Sequence, residues 1–420
     1  MFKFVINGGK TLHGKLAVGG SKNATLPLMA ATLLARGKYV IEGIPILRDV
    51  MTMKQLMETI GVSIEFKNHR MVVDSSDYDN LEAPYELVKK MRASIYVLGP
   101  LLAKNGYAKV SLPGGCAWGP RPVNFHIESL KKMGAAIDLE QGYIVAKADR
   151  LKGTLIAFDY PSVGATGNVL MAAALAEGTT VIQNAAMEPE IINLVEFLNA
   201  MGARISGTGT NRLEINGVDA LHPANAAVIP DRIEAGTFLV AAAITGGDIV
   251  LERVEPNHLT AVLSKLKDTG AEIAVEDSTI SLSAGQKILS VNVSTAVYPG
   301  FPTDMQAQWM ALMCVADNTS IIADTVYTDR FAHVPELIRL GARIRVEGNA
   351  AAVKGVKRLT GATVMSTDLR ASASLILAGL VAEGTTEVLR IYHIDRGYEA
   401  IEKKLQAVGA DIRRIRTEDF

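Results

Sequence analysis

One phrase recurs six times along this 420-residue chain: an amphipathic helix closes on a glycine and alternating residues follow. The copies are "METIGVSIEF", "LKKMGAAIDL", "LNAMGARISG", "LKDTGAEIAV", "IRLGARIRV" and "LQAVGADIRR". Their glycines are Gly61, Gly134, Gly202, Gly270, Gly341 and Gly409, at intervals of 73, 68, 68, 71 and 68 residues. A period of this size sets the architecture before any single motif is weighed. Glycine after an amphipathic helix is the expected left-handed cap, and the alternation beyond it predicts a strand.

A second phrase also recurs once per period: "SKNATLPLMAATLLARGKYVIEG", "MRASIYVLGPLLAKNGYAKVSLPG", "SVGATGNVLMAAALAEGTTVIQNA", "RIEAGTFLVAAAITGGDIVLERV", "TDMQAQWMALMCVADNTSIIADTV" and "LRASASLILAGLVAEGTTEVLRI". Each has a polar start, then a helix apolar on most sides, then a strand. A helix apolar nearly all round has to be buried. The expectation is therefore an α/β protein: a two-domain inside-out α/β barrel of six repeats of about 70 residues, three per domain, with buried helices surrounded by sheets. The most loop-like stretch in mid-chain, "HPANAAVIPDR" (222–232), marks the return from one domain to the other. Residues 1–21 and 230–420 then form a discontinuous first domain, and 22–229 a second one that carries the Cys116 loop. The first strand (2–8) is expected to partner the last repeat, and the active site to lie in a cleft between the domains.

Composition narrows the partners. With 43 Lys+Arg against 44 Asp+Glu, the net charge is −1, which argues against nucleic acid or a membrane surface as a general partner. Any anion bound here must be gripped by a local cluster of cations. Apolar runs such as "VLMAAALA" (169–176) are far shorter than the ~20 residues that span a bilayer. The start, "MFKFVINGGKTLHG", reads as a strand and turn, not a signal peptide. Two cysteines do not make a disulfide framework, so a cytoplasmic location is expected. The seven histidines show no zinc-ligand spacing, and "NGGKTLHGK" lacks the spacing of a phosphate loop. No metal or organic cofactor is expected, and no obligatory protein partner.

The starts of the six buried helices carry the chemistry. Helix N-termini present unsatisfied N–H groups and a partial positive charge, so they suit anions. Lys22, Arg92, Arg370 and nearby Arg396 could together form a cationic pocket. Ser21, Ser162 and Thr303 are equally readable as plain N-caps. Arg92 and Arg370 oppose the helix dipole, which leaves either a functional charge or a structural salt bridge. "SLPGGCAWGPRP" (111–122) is a glycine- and proline-punctuated loop presenting Cys116, whereas Cys314 in "WMALMCVAD" reads as packing. His126, just beyond that loop, is a candidate for lining the cleft.

Taken in order, "SKNA" (21–24), "MRASI" (91–95), "PGGC" with "RPV" (113–123), "SVGAT" (162–166), "PDRIEAGTFLVAAA" (230–243), "FPTDMQAQ" (301–308), "DLRASASL" (368–375) and "RIYHIDRGYE" (390–399) resemble the UDP-N-acetylglucosamine enolpyruvyltransferase family over essentially the whole chain. That resemblance implies transfer of the enolpyruvyl group of phosphoenolpyruvate to the 3′-hydroxyl of UDP-N-acetylglucosamine, with release of phosphate, at the first committed step of peptidoglycan synthesis. It implies Cys116 as the loop acid, also able to form an adduct with phosphoenolpyruvate and to be alkylated by fosfomycin. Asp304 is implied as the base facing the 3′-hydroxyl. Lys22, Arg121 and Arg396 would surround phosphoenolpyruvate, with Arg370 and Arg330 close by and Asn23 and Arg92 as further substrate contacts. The nucleotide sugar would rest on Arg121, Pro122, Val123, Asn124 and Phe125, on Ser162, Val163 and Gly164, and near Val326. Three positions depart from the family pattern: Asn124 stands where Asp is common, Arg48 where Lys is common, and Trp118 makes the loop after Cys116 bulkier. Two other readings share parts of the pattern, a shikimate-3-phosphate enolpyruvyltransferase and a nucleotide-sugar-binding paralogue without turnover.

Overall fold

The computed structural model describes residues 2–112 and 123–417; Cys116, Trp118, Arg121 and Pro122 lie outside the described residues. The chain divides into two compact units, one made of the described residues of Met1–Gly19 and Pro230–Phe420, the other of Gly20–Ile229. Among the described residues the strands form six four-stranded sheets, one for each repeat.

The second repeat shows the plan. Strand Glu82–Ala83 leads through the buried helix Leu98–Asn105 to the parallel strand Tyr107–Ser111. The amphipathic helix Asn124–Lys132 follows, and the hairpin Ala136–Glu140 and Tyr143–Lys147 returns antiparallel to Tyr107–Ser111. Parallel strands need a crossover, and the buried helix supplies it. Three sheets are completed by strands from far away in sequence, one of them by His13–Ala17, which pairs in parallel with Asp248–Glu252. Ala226–Ala227 pairs in parallel with Lys38–Glu42 of the first repeat. Phe2–Asn7 fits between Thr385–Leu389 and Asp411–Arg416, with Phe4 opposite both Val388 and Arg414.

Within the Gly20–Ile229 unit, the helices Lys22–Ala31, Leu98–Asn105 and Val163–Ala173 form the interior. Arg232–Thr245, Gln306–Met313 and Leu369–Val381 do so in the other unit, and the last two pack on each other. Leu28, Leu98, Leu170, Leu239, Leu312 and Leu377 are all buried, each contributing about 1.5–3 kcal/mol of transfer free energy. The amphipathic helices take the place between core and solvent. Arg48–Ile60, for example, buries Val50, Met53, Leu56, Met57 and Ile60 on one face. The repeated glycines adopt the left-handed conformation in every repeat, with φ between 93° and 111° at Gly61, Gly134, Gly202, Gly270, Gly341 and Gly409. Apart from the expectations for residues 113–122, the observed elements follow the periodic pattern closely.

Candidate functional site

The starts of the buried helices differ from one another in a way that matters for chemistry. Ser21 and Ser162 cap their helices, each accepting a bond of 3.3 Å from the third backbone N–H, of Ala24 and Ala165 respectively. Asp231 and Asp368 cap theirs through two backbone N–H groups apiece. Thr303 does not cap. Its hydroxyl instead donates to Asp324 Oδ2 at 2.7 Å, because the chain there runs as a tight 3-10 turn, Thr303–Met305, before the helix proper. Arg92 likewise opens a 3-10 turn, Arg92–Val97. These two turns have no side-chain cap.

In the unit that contains it, Asp304 is the centre of a charged network. Its Oδ1 accepts from Arg330 Nη1 at 2.8 Å and its Oδ2 from Arg370 Nη2 at 2.6 Å. Arg370 is buried and Asp304 partly exposed, its side chain retaining 28% of its accessible surface. Burial raises the carboxyl's proton affinity, but the two guanidinium charges outweigh it and hold Asp304 well below the usual carboxylate range. Arg370, opposing its helix dipole, is thus explained by an ion pair with a residue that is itself a site candidate.

The network is held from behind. Arg370 Nη1 donates to Tyr398 Oη at 3.2 Å, and Gln308 Nε2 donates to the same oxygen at 3.2 Å. The Thr237 hydroxyl gives its proton to the Ile233 carbonyl at 2.7 Å, so the Tyr398 hydroxyl donates to Thr237 at 2.7 Å. On the other side, Asp324 accepts at Oδ1 from the Thr295 hydroxyl and from the backbone N–H groups of Val326 and Tyr327, at 2.7, 3.0 and 2.7 Å. One buried carboxylate therefore fixes both the Val326 turn and, through Thr303, the Asp304 turn.

In the Gly20–Ile229 unit, Lys22 opens the first buried helix and lies 3.2 Å from Asp49, which is buried in the first turn of Arg48–Ile60. Asn23, Arg92, Ser162, Val163 and Gly164 are half-buried at their helix starts. Val123 and Phe125 are half-buried too, Phe125 packing on Phe158 with ring centres 5.8 Å apart, while Asn124 is exposed at the first position of its helix. His126, a candidate for lining the cleft, is buried on the inner face of its helix with Ser129 and Leu130, at 6% exposure. Asn168 Nδ2 bonds to its Nδ1 at 2.9 Å. The same amide donates to the Ile95 carbonyl and accepts from Gly99 N–H, both at 2.8 Å, which fixes its orientation. His126 Nδ1 is thereby an acceptor and the ring is neutral, in keeping with a pKa pushed down to about 4 by burial.

Of the expected site residues, the structure groups Asp304, Arg330 and Arg370 by direct contact, with Val326 joined through Asp324. Arg396 ends the Ile391–Arg396 turn. Reasoning from sequence missed Asp49, Asn168, Asp324 and Tyr398. Asn168 had a usable signal, a lone amide in the apolar run "GATGNVLMAAALA", since a polar group on a buried helix needs partners. Among the described residues, no group of three or more His, Cys, Asp or Glu could hold a metal ion, and no helix is long and apolar enough to cross a membrane.

A family profile described as EPSP synthase (3-phosphoshikimate 1-carboxyvinyltransferase) matches residues 6–405. The chain is 62% identical over 423 aligned residues to a UDP-N-acetylglucosamine 1-carboxyvinyltransferase from Chloroherpeton thalassium, covering 100% of this chain and 99% of that one. It is 57% identical to a protein of the same description from Chlorobaculum parvum, with both chains fully covered. Among solved structures, the enolpyruvyl transferase NikO from Streptomyces tendae superposes with a TM-score of 0.89 at 26% identity, over 98% of each chain.

Proposed function

We propose, because this chain belongs to the EPSP synthase family and to the UDP-N-acetylglucosamine 1-carboxyvinyltransferases within it, that it transfers the enolpyruvyl group of phosphoenolpyruvate to the 3′-hydroxyl of UDP-N-acetylglucosamine and releases phosphate. The observation that carries the reading is an ionised Asp304 between two guanidinium groups, in a chain similar from end to end to relatives of that description. The reaction serves peptidoglycan synthesis, and a cytoplasmic location suits both substrates.

The chemistry is addition followed by elimination. In the addition, the sugar hydroxyl oxygen bonds to C2 of phosphoenolpyruvate, its proton goes to Asp304, and a proton from Cys116 goes to the methylene carbon. In the elimination, the new methyl group returns a proton to the Cys116 thiolate, the bond from C2 to the phosphate oxygen breaks, and inorganic phosphate leaves with the proton that Asp304 took up. Arg330 and Arg370 hold Asp304 ionised and ready to accept, but make it a weak base. Loosening one of those pairs as substrate binds would restore its basicity. Lys22, Arg121 and Arg396 are assigned to the phosphate and carboxylate of phosphoenolpyruvate, where cations stabilise the charge that develops on the leaving group. Asn23 and Arg92 are assigned to substrate contacts, and Val123, Asn124, Phe125, Ser162, Val163 and Gly164, with Pro122, to the nucleotide sugar.

The test is the product itself. Purified chain incubated with both substrates should yield UDP-N-acetylglucosamine bearing an enolpyruvyl ether at O3′, identified by nuclear magnetic resonance. Cys116→Ala and Asp304→Asn should each lower kcat by about 10²–10⁴-fold with the fold intact. Undiminished turnover in both variants would contradict the assignment.

A further inference from the structure

The segment that carries Arg396 is bounded by two residues in the left-handed conformation that are not glycine, Arg390 with φ 57° and Ala400 with φ 44°. For alanine this conformation brings Cβ against its own backbone and has no side-chain hydrogen bond to compensate. Such a residue persists where its surroundings over-determine it, and the useful step is from that strain to what enforces it.

Arg414, on the last strand, supplies the enforcement. Its Nη1 and Nη2 donate to Asp395 Oδ2 and Oδ1 at 3.0 and 2.6 Å, a two-pronged grip on one carboxylate. Its Nε and Nη2 also donate to Glu402 Oε1 and Oε2, at 2.9 and 3.2 Å. Asp395 immediately precedes Arg396, and Glu402 lies in the first turn of the helix Ile401–Ala407, beyond Ala400. A single guanidinium thus ties together the two sides of the strained residue. The guanidinium sits 5.0 Å from the Phe4 ring centre, and Phe4 pairs with Arg414 in the sheet, so the base of the side chain is anchored as well.

Exposed ion pairs contribute little as a rule, but here the geometry is bidentate, two acids share one base, and Glu402 is buried. The strand itself needs none of this. It is already held by backbone pairing along Phe2–Asn7 from Arg416 to Asp411. Each nitrogen of the guanidinium donates instead to a carboxylate on the Arg396 segment or on the helix after it.

We infer that Arg414 is a positioning residue for Arg396: by fixing Asp395 and Glu402 on either side of Ala400, it sets the place from which Arg396 meets the anionic three-carbon substrate. The inference rests on the assignment of Arg396 to phosphoenolpyruvate made above. It needs no contact between Arg414 and substrate. A guanidinium is required because an ammonium cannot make the fork.

The test compares the full-length chain with Arg414→Lys, which keeps the charge but not the fork, and Asp395→Asn, which keeps the shape but not the ion pair. KM is measured separately for phosphoenolpyruvate and UDP-N-acetylglucosamine, with a melting curve for each variant. The expected result is a KM for phosphoenolpyruvate raised by about tenfold or more, since small displacements of a binding group are amplified in this way, with the KM for the nucleotide sugar changed less than about twofold. Unchanged KM for phosphoenolpyruvate in both folded variants would overturn the inference and leave the functional reading standing. So would a parallel rise in both KM values tracking a lower melting temperature, which would mean a purely structural role. A wild-type chain without turnover would overturn the functional reading and this inference with it.

Discussion

Single side chains here are defined by partners far off in sequence. Asn168 donates to His126 Nδ1 while burial keeps the ring neutral, and the consequence is measurable. The folded His126 has a pKa near 4 against an ordinary value of 6.5, so between those values the unfolded chain binds a proton that the folded chain does not. Stability from this group is complete above pH 6.5 and falls as the pH drops towards 4, by on the order of 3 kcal/mol. His126→Gln, which stays neutral throughout, should lose correspondingly less over that range in chemical-denaturation measurements. Equal losses in the two proteins would contradict the buried, neutral assignment. Asp304 acts in the same direction but in a lower window: its depressed pKa gives stability that persists as the pH falls to the ordinary carboxylate range and is lost only below it. The two effects therefore separate on the pH axis. At this scale the sequence was partly legible. Lys22, Asp304 and Arg370 stood out as charges at helix starts, whereas Asp324 and Arg414 could not be found, because their roles depend on partners brought together only by the fold.

The elements were the most legible level, because each repeat states its helix end and its following strand in local residues. Gly134 isolates that local term: it is left-handed at φ 95°, and an added Cβ would meet nothing within 4 Å. Gly134→Ala should accordingly cost about 1–2 kcal/mol from backbone strain alone. For a chain of this size that corresponds to a fall in melting temperature of a few degrees, measured by calorimetry. No change would mean that the glycine is not holding the turn from helix to strand. Thr303 is where the two readings of a polar helix start part: it looks like a cap but does not act as one. Its hydroxyl is taken by Asp324, and the chain opens in a 3-10 turn that presents Asp304 to Arg330 and Arg370. Local sequence does not distinguish a cap from a hydroxyl claimed by a carboxylate 21 residues away.

At the scale of the whole molecule, a period of about 70 residues yields two compact units, each with three helices inside its sheets. The long-range closures also have a sequence rationale: a last repeat short of one strand and a first strand with no repeat of its own are completed by each other. Acceptor choice is where the fold stops being informative, since the structural likeness extends to an enolpyruvyl transferase only 26% identical to this chain. It rests instead on the particular residues assigned to the nucleotide sugar. The most direct test is the rate of phosphate release from phosphoenolpyruvate with UDP-N-acetylglucosamine as acceptor, run beside shikimate 3-phosphate at equal concentration. Release with the nucleotide sugar and none above background with shikimate 3-phosphate is the predicted result; release with shikimate 3-phosphate alone, or with neither, would contradict it.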